Sequence, residues 1–243
     1  MGTGEYALVA YAGNAEDVVL MRAFADTRDG FFVDVGAGEP VRGSLTKNLV
    51  DRLGWRGVNL EPLPGRCARL RAARPRDVTL RAAAGAAPGR ATLHRIVGGD
   101  GLSTLDADVA ARHVAAGWDR EELDVDVVRL GDVLDRHAAP GFDLLKVDVE
   151  GSEASVLAGA DLAFWRPRAV VVEATVPLST EPSHEAWEPA LLRAGYDLAL
   201  FDGLNRFYAR ADEPALRARL AVPANVLDRY IPYACAVRAG YAT

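Results

Sequence analysis

Six apolar runs of strand length recur along this chain, with helical stretches between them. They are FFVDVG (31–36), GVNLE (57–61), DVTLRAAA (77–84), FDLLKVDVE (142–150), RAVVVEAT (168–175) and YDLALFD (196–202). Candidate helices fall at 43–53, 63–73, 106–116, 152–160 and 184–194. Continuous apolar runs belong to strands buried on both faces. Their alternation with helices predicts an α/β fold built on a parallel, doubly wound sheet. Right-handed crossovers then gather the strand C-termini at one edge, where ligands bind.

Two segments break the alternation. ATLHRIV and LDVDVVRL bracket the Gly-rich stretch GGDGLSTLD and a helix, and predict an inserted flap around 90–130. LFDGLNRFYAR reads as a hairpin, two extended runs around Gly203 with Asn205 able to take turn geometry. Such a hairpin makes the last strand antiparallel to an otherwise parallel sheet. The tail, 211–243, is expected to form a helix and then a loop packed on the body. With 243 residues the chain suffices for one sizeable core, so a single domain, 1–243, is expected.

A net charge of −6 argues against a nucleic-acid partner. The arginines of RCARLRAARPR are spaced as the solvated face of a helix. Cys67 and Cys235 are far apart and form no metal-type pair. The first residues lack a basic region followed by an apolar stretch, and no run approaches about 18 apolar residues. A cytoplasmic protein without a membrane partner is therefore expected, and nothing speaks against a homo-oligomer.

The first strand ends in a tight turn, Gly36-Ala37-Gly38, followed by Glu39 and Pro40. A dinucleotide-binding turn would carry a third glycine three residues on, where this chain has Val41. A carboxylate there repels a phosphate by about 1 kcal/mol or more. A sulfonium cation instead suits an acidic rim, and Asp34, Glu39, Glu61, Asp148, Glu150, Glu153 and Glu173 all fall at or near predicted strand ends. The pattern points to S-adenosylmethionine. Asp34, Gly36 and Gly38 would surround its methionine part and Glu61 would receive the ribose diol, with Ala37 and Pro62 also expected to bind the cofactor. The competing reading is a tight structural turn plus helix caps.

The chain resembles the FkbM-type S-adenosylmethionine-dependent methyltransferases over nearly its whole length. The likeness rests on YAGNAEDVVL (11–20), FFVDVGAGEP, LGWRGVNLEPLP, GLSTLD (101–106), DLLKVDVEGSE (143–153), VVVEAT and FDGLNRFY. It departs at Gly13, where the family commonly has glutamine. The resemblance implies a seven-stranded Rossmann-like sheet with an antiparallel last strand. It also implies methyl transfer to an oxygen, often of a sugar or a secondary metabolite. It places Ala83 and Ser103 near the adenine and folds Asn14 and Asp17 across the donor; helix capping is the alternative for Asn14, Asp17 and Ser103. An N-methyltransferase and an inactive donor-binding module are the other functions open at this point.

For catalysis the row KVDVE matters most. On an extended strand Lys146, Asp148 and Glu150 share one face. Asp148 would point into the cleft to hold an acceptor hydroxyl, take its proton or bind a metal. Glu173 ends the neighbouring strand, so Asp148 and Glu173 could hold Mg2+, since a hard cation favours oxygen ligands. The alternatives are a structural Lys146–Asp148 pair and helix N-terminal acids at Glu150 and Glu153. His184, after PLSTEPS, is the first candidate for a histidine base and His113 the second. Trp187, Trp118 and Tyr208 would form either an acceptor wall or core.

Overall fold

The computed structural model describes residues 6–242. Its strands are β1 (Leu8–Ala10), β2 (Phe31–Val35), β3 (Arg56–Leu60), β4 (Val78–Leu80), β5 (Ala83–Gly85), β6 (Gly89–Ile96), β7 (Arg120–Arg129), β8 (Leu144–Val147), β9 (Ala169–Glu173), β10 (Tyr196–Phe201), β11 (Asn205–Arg210) and β12 (Tyr230–Pro232). The main sheet has seven strands in the order β10-β11-β9-β8-β2-β3-β4. Pairing is parallel from β9 through β4, and β11 runs antiparallel to both β9 and β10. Strand order reverses between β2 and β8, which opens a crevice at the carboxyl edge.

Side-chain alternation divides the apolar residues between two layers. Val33, Val35, Leu145 and Val147 face helices Leu130–His137 and Glu153–Ala158. Phe32, Leu144 and Val171 face helices Glu16–Ala23, Lys47–Leu53 and Pro214–Leu220. Each fully buried aliphatic or aromatic side chain contributes about 1.5–3 kcal/mol. These central strands read as unbroken apolar runs because both of their faces are covered.

The run 77–84 does not form one strand. Val78–Leu80 joins the main sheet, and Ala83–Gly85 crosses to a second, three-stranded sheet, β5-β7-β6. The flap expected at 90–130 is the β6–β7 ribbon of that sheet, with helix Ala107–Ala115 between its strands. Helix Leu130–His137 follows directly and lay outside the expected helices. The tail holds more than a helix and a loop. After Pro214–Leu220, β12 pairs in parallel with β1, and helix Tyr233–Arg238 follows. Strand β8 stops at Val147, so KVDVE is not one extended row: Asp148 lies beyond the strand and Glu150 takes a left-handed conformation (φ 57°).

Arg74 also departs from the expected solvated face. It is buried, and its guanidinium donates to Thr46 Oγ1 (2.7 Å), Ser44 Oγ (2.6 Å) and the Pro40 carbonyl (3.0 Å). This side chain thus makes three hydrogen bonds to the loop between the first glycine turn and helix Lys47–Leu53. Arg74→Leu keeps the aliphatic packing but removes the donors. It should lower unfolding free energy by about 1–3 kcal/mol, read as a shift of the urea midpoint at constant m-value. An unchanged midpoint would show that water replaces the guanidinium freely.

Candidate active site

A cavity of about 320 Å³ lies at the carboxyl edge, against the ends of β2, β3, β8 and β9. Its wall includes Gly36, Ala37 and Gly38 after β2, Glu61 and Pro62 after β3, Ala83 and Ser103 from the second sheet and its loop, and Lys146, Asp148 and Glu173. These ten expected site residues converge there. Gly36 has φ +77°, and a Cβ on it would collide with the Asp148 carbonyl oxygen. Glycine at this point lets the turns after β2 and β8 touch.

Lys146 stands at the centre. Asp34 and Lys146 are register partners on adjacent parallel strands, so their side chains leave the sheet together. The ammonium donates to the Gly36 carbonyl (2.6 Å) and pairs with Asp34 (3.2 Å) and Asp148 (3.4 Å). Burial disfavours its charge, but Asp148 and Asp34 outweigh that and raise its pKa above the ordinary lysine range. Lys146 thereby holds Asp148 in place from the sheet side.

Other acids are held by the backbone. Glu61 Oε2 accepts from the Gly38 N–H (2.9 Å) and Oε1 from the Leu63 N–H (2.8 Å). Burial raises its pKa, against the opposing pull of the Leu63 N–H and Arg66. Glu153 Oε1 accepts from Val149 N (3.0 Å) and Gly151 N (3.1 Å), which fixes the turn after β8. Thr104 Oγ1 donates to the Glu150 carbonyl (2.7 Å), so the flap loop carrying Ser103 docks on that same turn. Ser103 does not cap the following helix; Asp106 caps Ala107–Ala115. The Glu173 carboxyl differs. It is pushed up to about 11, first by burial and then by the charges of Asp148, Glu150 and Glu153. Its Oε2 is buried without a hydrogen-bond partner.

Four expected residues stay off the cavity wall. Asp34 is buried against Lys146 and accepts from Thr46 Oγ1 (3.2 Å). Asp17 accepts from Tyr11 N (2.8 Å) and Asn48 Nδ2 (2.7 Å), and so anchors the opening stretch. Asn14 Nδ2 donates to the Asp202 carbonyl at the hairpin turn (3.1 Å). His184 lies 3.7 Å from Glu188, which also accepts from Arg206 (2.6 Å) and Tyr208 (2.8 Å). Trp187, Tyr208 and His113 are buried away from the cavity, so the first two are core and not an acceptor wall.

Glu16, Arg66 and Asn205 reach the cavity without having been expected there. Asn205 opens β11 and pairs in register with Glu173, the last residue of β9. An antiparallel strand brings its first residue to the edge where parallel strands bring their last, and that was the available signal. Arg66 sits in the first turn of the helix after β3, and its Nε lies 3.6 Å from Glu39. Glu16 Oε1 accepts from Asn205 Nδ2 (2.7 Å) and Oε2 from Asn14 N (2.8 Å). Burial pushes its carboxyl up to about 7.

A family model described as "Methyltransferase FkbM domain" matches residues 34–198. No curated protein matches the chain. A TehB-like SAM-dependent methyltransferase from Corynebacterium glutamicum ATCC 13032 Kitasato matches among solved structures. It is 12% identical over 80% of this chain and 87% of that one, with a TM-score of 0.43.

Glu16 makes stability depend on pH in a direction opposite to that of a paired acid. Its carboxyl titrates near the ordinary 4.5 when unfolded and at about 7 when folded. The folded state then holds the proton more tightly, so stability falls as pH rises through that window. Replacing Glu16 by Gln should shrink the difference in unfolding free energy between about pH 5 and about pH 7.5 by on the order of 2–3 kcal/mol. Urea titrations at the two pH values check this, and an unaltered difference would mean that Glu16 is solvated.

Proposed function

The chain belongs to the FkbM methyltransferase family, and on that premise we propose that it transfers a methyl group from S-adenosylmethionine to a hydroxyl oxygen of a small molecule, a sugar or a secondary metabolite. The observation that carries the reading is the cavity at the strand switch point, walled by a glycine turn and by strand-end acids with one lysine among them. The strand order, with one antiparallel member beside the last strand, supports a seven-stranded Rossmann-like methyltransferase sheet.

The residues present suit the donor. A Cβ at Gly38 would meet only Arg66 Nη1, at 3.7 Å, so this turn leaves its cavity side open. Glu61 spends one lone pair per oxygen on backbone N–H groups and keeps capacity to accept from a ribose diol. Ala83 and Ser103 form the wall assigned to the adenine. Asp148 brings a carboxyl group to the side of the cavity where a cationic donor would sit, with Glu150 and Glu173 beside it. Bound there, S-adenosylmethionine supplies an electrophilic methyl carbon.

Asp148 is assigned the acceptor side. Lys146 fixes it from the sheet, while its own side chain is 38% exposed. A carboxylate so held can accept a hydroxyl's proton and orient the oxygen, and orientation is worth up to about 7–11 kcal/mol. The turn Asp148-Val149-Glu150-Gly151 presents carboxylates, which favours hydroxyl transfer over the Asn/Asp-Pro-Pro-Tyr arrangement suited to amide or base nitrogen. His184 takes no part in this scheme.

The experiment joins calorimetry with S-adenosylmethionine to turnover against a panel of glycosides and other alcohols, followed as S-adenosylhomocysteine. Glu61→Ala should weaken donor binding by about 1.5–3 kcal/mol, on the order of 10- to 150-fold. Asp148→Asn should bind the donor within a few-fold of wild type and lose roughly 100-fold or more in turnover. A wild-type protein that binds no donor would falsify the reading. Full turnover by Asp148→Asn would remove Asp148 from the chemistry.

A further inference from the structure

Asp148, Glu150 and Glu173 each bring a carboxylate oxygen to one place, all within 4.8 Å of one another. Two come from the turn after β8 and one from the end of β9. Like charges this close repel unless something positive sits among them. Lys146 does not suffice, because its ammonium is shared with Asp34 and the Gly36 carbonyl. Arg66 faces Glu39.

Among the acids that line the cavity, hydrogen bonding sets Glu173 apart. Both Glu61 oxygens accept backbone N–H groups, both Glu16 oxygens accept donors, and Glu153 caps two N–H groups. Glu173 is only 7% exposed and lines the cavity, yet no donor among the described residues reaches its Oε2. A carboxyl oxygen buried beside two other carboxyl groups, with no N–H or O–H pointing at it, is completed by a shared proton or by a cation, and the cavity beside it has room for a cation.

We infer that Asp148, Glu150 and Glu173 hold a hard divalent cation of the Mg2+ or Mn2+ class on the cavity wall. Three carboxylate ligands fall short of the six that such an ion takes, so the remaining positions face the cavity for water or acceptor oxygens. In the proposed reaction the cation would hold the acceptor oxygen beside Asp148 and make its proton easier to lose. That consequence rests on the hydroxyl-transfer reading; the site itself does not.

The test uses full-length protein freed of metal with EDTA and titrated with Mn2+, following the loss of the free-ion electron paramagnetic resonance signal. One ion per chain should bind, with affinity lowered at least tenfold in Glu173→Gln and in Glu150→Gln. Both changes keep side-chain size, and circular dichroism checks their folding. Mg2+ alone should raise the thermal midpoint of wild type and leave that of Glu173→Gln unmoved. No Mn2+ binding at millimolar concentration overturns the site, as does binding that both variants retain in full. Donor calorimetry on the same samples separates the two ideas. Donor binding without Mn2+ binding sinks only the cation site; Mn2+ binding without donor binding leaves it standing while the methyl-transfer reading falls.

Discussion

The ammonium of Lys146 is the contact on which the site's geometry depends. It lies where strand order reverses, and its three N–H groups are divided among Asp34, Asp148 and the Gly36 carbonyl. Burying a lysine and an aspartate costs several kcal/mol each unless they pair well. Here the pairing comes from register, since Asp34 and Lys146 are partners across β2 and β8. The same ammonium reaches past the strand ends to a carbonyl on one turn and a carboxylate on the other. It thus sets the distance between the glycine turn and Asp148. From Asp34 the network runs through Thr46 to Arg74, so the helix after β3 is tied to the same point.

Around that centre the turns are positioned by acids that accept backbone N–H groups. Glu61 joins the turn after β2 to the one after β3, and Glu153 closes the turn after β8. The flap is fixed by Thr104 on the Glu150 carbonyl. Two distant parts of the chain meet at Glu16 and Asn205, the opening stretch and the hairpin. Several of the separate stretches that make up the cavity wall are therefore tied by hydrogen bonds and not by packing alone.

What was legible in the sequence follows from how local each signal is. FFVDVG and GVNLE announced β2 and β3 because strands covered on both faces must be apolar throughout. Gly203 announced the hairpin because turn geometry is a matter of a few residues; Asn205, expected to take turn geometry, is instead the first residue of β11. DVTLRAAA misled for a physical reason: it is apolar and extended at both ends, and nothing local marks where the chain leaves one sheet for another. KVDVE misled likewise, because alternation holds only while the strand lasts, and β8 ends at Val147. The β1–β12 pair joins residues more than two hundred positions apart, so neither end alone signals it. The glycine turn, Glu61, Asp148 and Glu173 were legible because parallel strand ends converge by topology. Asp17 and Asn14 were chosen from the right stretch, but the neighbour that reaches the cavity is Glu16. Composition cannot rank residues in one helical turn; that depends on which way the turn faces.

The acids of this chain divide by what satisfies them, and the division separates scaffold from chemistry. Glu61 and Glu153 accept backbone N–H groups, and Asp17 accepts through Oδ2, so these carboxyls serve in holding shape. Glu61 straddles the line, since each of its oxygens keeps a lone pair free. Asp148 has its one cation on the sheet side and presents the rest of its carboxylate to the cavity; Glu173 has no donor at Oε2. A buried carboxyl oxygen without a donor is unfavourable to folding, and Glu173 ends β9, whose other members are alanine and valine. A carboxyl group at the end of such a strand, on the cavity wall, is what the proposed cation site accounts for.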